Sequence, residues 1–290
     1  MSDKRFPSVF VSHGAPTIAQ QVCPVTVFLK GLGDSLGRPK AVLCVSAHWE
    51  TETPMVSVAT EPETIHDFFG FPDPLYQIRY PAPGAPDLAG RAAELLAERD
   101  IPCAVSDDRG LDHGAWIPMM LMYPDADVPV TQLSIQPDDG PAAHLALGRA
   151  LAPLRDEGVL VLASGGAVHN LSFFRPGSSD VADWARRFDD WLAAAAEAGD
   201  GEALVDYRNA SADGALAHPR AGPYPPLPVA PGAGRGRGRW GRWRTTWRSR
   251  ATERGRRGCL RASSAGWWWG SRRRSRRSGS TRGSSPPCRS

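Results

Sequence analysis

Four apolar runs of strand length, set among stretches of helical period, constrain this chain more than any other feature. The runs are SVFVS (8–12), AVLCVSA (41–47), VPVTQLSI (128–135) and GVLVLAS (158–164). Near-continuous hydrophobicity over so few residues marks strands buried on both faces. Between and after them, APDLAGRAAELLAERD (85–100), PAAHLALGRALAPLRDEG (141–158) and VADWARRFDDWLAAAAEAG (181–199) repeat apolar residues at helical spacing. Trp184, Phe188 and Trp191 share one side of the last. Strands alternating with helices predict an α/β fold: a single domain whose central, mostly parallel or mixed sheet is flanked by helices. A chain of 290 residues is long enough to bury a sizeable core.

No run of eighteen or more apolar residues occurs, so no membrane span is expected. The start, MSDKRFPSVF, lacks the apolar stretch of a signal peptide. The five cysteines (Cys23, Cys44, Cys103, Cys259, Cys288) are scattered without CxxC spacing, and the expected compartment is a reducing cytoplasm. Cys44, inside a strand-like run, reads as a small buried hydrophobe.

The average charge conceals a break. Residues 219–290 hold nineteen arginines, no lysine and one acid, Glu253, whereas 1–218 hold fifteen basic and thirty acidic residues. Past about 219 neither the strand nor the helix period survives. The expected organisation is therefore a catalytic domain over 1–218 and an Arg/Gly/Trp-rich, low-complexity tail over 219–290 that is disordered in isolation. One origin for such a tail is nucleic-acid binding, with arginines on phosphates and tryptophans on bases. The other is GC-rich DNA read out of frame. The second accounts better for the abrupt change and for the absence of Asp, Asn, Gln, His, Ile, Lys, Met and Phe.

All seven histidines lie in 1–218. His13 ends the first strand, His48 ends the second, and His169 follows the run at 158–164. Open α/β sheets bind ligands beyond the carboxyl ends of their strands, where three imidazoles would converge if these strands are parallel. Imidazole is the commonest protein ligand for zinc and suits Fe(II) as well. A lone strand-end histidine is ordinarily a packing or turn residue, and the recurrence is what raises the metal reading. Gly14 behind His13 leaves room for close approach. His66, in the aromatic loop ETIHDFFGFP (63–72), and His113, in RGLDHGAWIPM (109–119), suit acid/base groups facing a planar substrate. Each could equally be a loop residue with an aromatic anchor. Arg79 could contact an anionic substrate or cap its loop, and His144, on the predicted helix at 141–158, reads as structural.

Five stretches together resemble the class III extradiol ring-cleavage dioxygenases, in the branch acting on DOPA-like catechols. They are VFVSHGAPT, RPKAVLCVSAHWE, ETIHDFFGFPDPLYQIRYPAPGAP, GLDHGAWIPMMLMYPDADVPVTQLSI and LVLASGGAVHNL, spread over about 6–218. The resemblance implies a non-haem metal, Fe(II) or Zn(II), and insertion of both atoms of O2 beside the two hydroxyls of a small catechol. It implies His13 and His48 as metal ligands, His169 as a further ligand or an acid/base group, and His113 and His66 as catalytic histidines. The family continues with a His/Asn-Pro-Thr-x-Glu-His segment whose last histidine completes the metal site. Here His218 and Pro219 fit its start, but Gly222 and Pro223 stand where Glu and His are expected. The resemblance therefore implies a site short of one ligand and impaired activity. Two other functions are compatible with these residues: a zinc hydrolase on the same histidines, or an inactive fold with a nucleic-acid-binding tail.

Overall fold

The computed structural model describes residues 5–173, 181–219, 224 and 226–234, with the backbone of 240–243 and 266–269. The strands are β1 (Ser8–Ser12), β2 (Ala41–Glu50), β3 (Met55–Ser57), β4 (Ala104–Ser106), β5 (Val130–Ile135), β6 (Val159–Gly165), β7 (Trp240–Trp243) and β8 (Gly266–Trp269). The helices of the first half are α1 (Pro24–Leu36), α2 (Asp73–Tyr76), α3 (Pro86–Ala97), α4 (His113–Met122) and α5 (Gly140–Leu151). Those of the second half are α6 (Asp183–Ala198), α7 (Gly201–Val205), α8 (Tyr207–Ala210), α9 (Gly214–Ala217) and α10 (Pro226–Ala233).

Six strands form the central sheet in the order β4-β3-β5-β2-β6-β1, and β8 and β7 continue it antiparallel beyond β1. The inner four, β5, β2, β6 and β1, are mutually parallel, while β3 runs antiparallel to β5. The expected mixed α/β sheet is thus the observed one. Each expected strand run is a strand. That at 41–47 continues to Glu50, which places His48 within β2 rather than after it. The expected helix at 141–158 ends at Leu151 and tightens into a 3₁₀ turn, Ala152–Arg155, around Pro153.

Both faces of the sheet are covered, and alternate strand residues serve opposite layers. Phe10, Leu43, Val45, Val161 and Ala163 join a core with α3, α5, α6 and α10. Val9, Val11, Val42, Cys44, Leu160 and Leu162 join another with α1 and α4. This two-sided burial is why the strands read as unbroken apolar runs.

The packed body continues past residue 218. Ser8 Oγ donates to the Ala230 carbonyl at 2.6 Å, and the buried Arg155 guanidinium donates to the carbonyls of Phe6 (2.7 Å) and Ala233 (2.9 Å). These bonds tie α10 to β1 and to the loop before it. The expected departure at Gly222 and Pro223, and most of the arginine-rich segment, lie outside the described residues.

Candidate metal centre

Register decides which histidines meet. Ser164 of β6 is paired with Val11 of β1 on one side and with Ser46 of β2 on the other. Two residues on from each neighbour come His13 and His48, level with one another across the end of β6. At that level the chain has just left β6 and offers Gly166, so the imidazoles face each other over a gap, Nε2 to Nε2 at 3.0 Å. Gly14 turns the chain away with φ of +66°, a left-handed conformation that favours glycine.

The third ring comes from α4. His113 is the first residue of that helix, and its centroid lies 3.9 Å from His48 and 5.1 Å from His13. One ring nitrogen from each of His13, His48 and His113 lies within 4.8 Å of the others. Gly114 permits this crowding, since a Cβ there would stand 2.4 Å from Ser46 Oγ and 3.1 Å from His48 Cδ2.

The hydrogen bonds around the rings set their tautomers. Ser164 donates its hydroxyl proton to the Gly114 carbonyl, so toward His13 it acts as acceptor, from Nδ1–H at 2.9 Å. Asp67 accepts from His113 Nδ1 at 2.9 Å through one oxygen and faces His48 Nδ1 at 3.2 Å through the other. The same carboxylate accepts the His113 backbone N–H at the start of α4, at 2.9 Å. With each Nδ1 tied back to an acceptor, the three Nε2 atoms are the ones left to turn lone pairs toward a shared metal. The neutral forms are favoured at His13, whose pKa lies well below the ordinary value through burial and then repulsion from His48 and His113. Burial alone would raise the Asp67 carboxyl, but the bonds from His113 and His48 outweigh it and hold it well below the usual range.

Asp67 reaches this position because its loop is laced to the approach to α4. Ile65 N–H donates to the Leu111 carbonyl and Leu111 N–H to the Glu63 carbonyl, both at 2.7 Å. Trp116 Nε1 donates to the Ile65 carbonyl at 3.0 Å. Beneath the rings lies the fully buried Asp112. It accepts from Ser46 Oγ (2.6 Å), Gln132 Nε2 (2.7 Å) and Arg109 Nη2 (2.7 Å). Arg109 also donates to the His48 carbonyl at 3.3 Å and lies over the Trp49 ring.

The remaining histidines lie elsewhere. His169, expected at the strand end beside His13 and His48, is three residues beyond Gly166 and outside the three-histidine group. It is still near enough for mutual charge repulsion with His48, which with its burial lowers its pKa, burial being the larger effect. His66 sits among Phe68, Tyr76 and Trp116, with centroids 5.6–6.0 Å away, and its Nε2–H donates to the Ile78 carbonyl at 3.0 Å. Its Nδ1 is thereby left as an acceptor. Phe68 stands edge-on to His66 and to His113 alike. Arg79 donates to the Tyr76 and Ile78 carbonyls, as a loop cap. His144 is structural: it accepts from the Gln136 amide and donates to the Gly140 carbonyl. His218 is fully buried away from the group.

Asp67, Ser164 and Asp112 were not singled out from the sequence. The adjacent His66 drew attention to the loop, but an aspartate beside a histidine has no periodicity to show that it faces two distant rings.

The chain matches the family model described as the catalytic LigB subunit of aromatic ring-opening dioxygenase over residues 7–251. It is 47% identical over 228 residues to a 4,5-DOPA dioxygenase extradiol of Beta vulgaris, covering 77% of this chain and 85% of that protein. It is 45% identical over 196 residues to the 4,5-DOPA dioxygenase extradiol of Escherichia coli (strain K12), covering 67% and 72%. The crystal structure of an uncharacterized protein from Escherichia coli K12 superposes with a TM-score of 0.71 at 32% identity, covering 92% of this chain and all of that one. With three histidines gathered beyond the carboxyl ends of inner strands and a family match over most of its length, the chain belongs to the metal-dependent extradiol ring-cleavage dioxygenases.

Proposed function

We propose that the chain opens the ring of a small DOPA-like catechol beside its two hydroxyls, using O2 and Fe(II) held by His13, His48 and His113. The observation that carries this is the convergence of three ring nitrogens within 4.8 Å, with their Nδ1 atoms tied back by Asp67 and Ser164. Three neutral imidazole nitrogens fit a borderline divalent ion, Fe(II) or Zn(II). Iron is the choice that suits a reaction with O2. The DOPA-like substrate is supported by the names of the relatives.

A divalent ion bound there supplies Lewis acidity and neighbouring positions where catechol and O2 are brought together. The chain's own residues handle protons and shape. The product is catechol plus O2, with the ring C–C bond broken and both oxygen atoms incorporated, so a proton taken from a hydroxyl has to be returned within the site. His66, with Nε2–H bound to Ile78 and Nδ1 left as an acceptor, is the group assigned here as the base, a role its hydrogen bonding supports. His169, near enough to His48 for charge repulsion, is the group assigned here to return the proton. Phe68 and Tyr76 form an aromatic wall against which a planar ring would pack. Asp67 keeps the proton of His113 on Nδ1, away from the reacting atoms.

No helix among the described residues is long and apolar enough to cross a membrane. Among the described residues Cys44 and Cys103 carry free thiols, which supports a reducing cytoplasm as the place of action.

The test is oxygen uptake by the purified chain, loaded anaerobically with Fe(II), on addition of DOPA or catechol, with a Zn(II)-loaded sample beside it. Uptake matched by a yellow ring-opened product supports the reading. An Fe(II)-loaded chain that consumes no oxygen refutes it, and ester hydrolysis by the zinc form would turn the assignment to the hydrolase.

A further inference from the structure

The loop after β6 carries His169, and three hydrogen bonds fasten it to the end of α9. The His169 amide donates to the Ala217 carbonyl (2.9 Å), and the Asn170 side-chain amide donates to the Leu216 carbonyl (2.7 Å). The third runs the other way, from His218 Nε2–H to the Gly166 carbonyl at 2.9 Å. The first two use carbonyls that any residue would present. The third depends on the side chain at 218.

An imidazole is a costly occupant of that position. The ring is fully buried among Phe188, Tyr207 and Tyr224, with centroids 5.7, 5.5 and 5.1 Å away. Among the described residues its Nδ1 has no hydrogen-bond partner. A phenyl ring would fill the same aromatic box without stranding a polar atom. What the imidazole adds is one N–H aimed at the peptide where β6 gives way to the His169 loop. The box holds it firmly: Tyr207 and Tyr224 stack at 3.8 Å, Tyr224 Oη donates to the Leu204 carbonyl (2.6 Å), and Arg208 grips the His218 carbonyl (2.7 Å). Burial, partly offset by the bond to Gly166, lowers the His218 pKa to about 4, so the ring is neutral with one N–H to give.

We propose that His218 is a positioning residue for ring opening, holding His169 at the rim of the metal centre through the Gly166 carbonyl and the Ala217–His169 bond. This rests on the dioxygenase function proposed above. It also gives the turn just before the expected departure at Gly222 a role in the reaction without a metal.

The experiment compares His218→Phe, His218→Gln, His169→Ala and the His169→Ala/His218→Phe double variant. Hydrogen exchange of the His169 amide is measured with kcat and KM for oxygen-dependent ring opening by the Fe(II)-loaded protein. In His218→Phe the His169 amide is expected to exchange about tenfold faster. Its kcat should fall about 10- to 100-fold, the range for residues that orient others, with KM little changed. Glutamine, whose amide nitrogen reaches the Nε2 position, should restore most of both. In the His169→Ala background His218→Phe should cost no further kcat, because it acts through a group already removed. Unchanged exchange would overturn the proposal. So would an undiminished second loss in the double variant, which would mark His218 as merely structural. Should His218→Phe fail to fold, Asn170→Ala loosens the same clasp from its exposed side and is expected to shift exchange and kcat the same way. An inert wild type would overturn the dioxygenase reading and this proposal with it. Exchange, which needs no turnover, would separate that failure from failure of the clasp.

Discussion

Replacing Asp67 by asparagine changes one oxygen to an NH2 group and should disable a site whose three histidines all remain. The carboxylate meets His113 Nδ1 and N–H with one oxygen, at 2.9 Å each, and His48 Nδ1 with the other, at 3.2 Å. Asparagine keeps one acceptor and turns a donor toward the remaining ring. That ring must then present a lone pair at Nδ1, which moves its proton to Nε2, the atom facing the metal position. One of three ligands is thereby lost to the wrong tautomer. Outer partners of metal-bound histidines are typically worth 10- to 100-fold in affinity, or about 1.4–2.8 kcal/mol. The assay is Zn(II) or Co(II) affinity by competition with a chromophoric chelator, read alongside the 15N shifts of the metal-free imidazoles. Asp67→Asn should bind metal at least tenfold more weakly and show one ring protonated at Nε2. Affinity within threefold of wild type, with all rings protonated at Nδ1, would refute the tautomer argument.

Gly114→Ala would ordinarily gain helix propensity, but its Cβ meets Ser46 Oγ at 2.4 Å and His48 Cδ2 at 3.1 Å. It should instead lose roughly 1–3 kcal/mol by overpacking, read as a lower urea midpoint, and bind metal more weakly. Asp112→Ala strips the fully buried partner of Arg109, Gln132 and Ser46. It should cost about 3–5 kcal/mol, as removal of one member of a buried ion pair does, measured by denaturant unfolding at pH 7. The pKa of His218, lowered to about 4, sets a pH dependence. Protonation favours the unfolded chain, so this stability is complete above about pH 6.5 and is lost as pH falls toward 4, by roughly 3 kcal/mol. Unfolding at pH 7 and 4.5 should show a smaller difference in His218→Gln than in wild type.

Much of the architecture was legible in the chain because its signal is local. Burial on both faces makes β1, β2, β5 and β6 continuous apolar runs, and one-sided burial gives α3, α5 and α6 their spacing; both patterns depend on neighbours two to four residues apart. His13 and His48 were legible for the same reason, as residues placed by the ends of apolar runs. The compositional break near 218 was legible too, although the packed helix α10 beyond it was not, because PLPVAPGA carries three prolines in eight residues and no clear period. The third member of the metal centre was a tertiary matter. Which residue stands level with His13 and His48 is fixed by strand order and register. Just past the end of the intervening strand that place belongs to Gly166, leaving the gap that His113 fills from the start of α4. His169 lies three residues further on, its amide bonded to Ala217 of α9, outside the three-histidine group. Asp67 was invisible for the same reason, since its two ring partners come from β2 and α4 and meet its loop only once Ile65, Leu111 and Trp116 have laced those segments together. Period reports which way a side chain points; what it meets there depends on contacts between segments far apart in the chain, and folding alone brings those together.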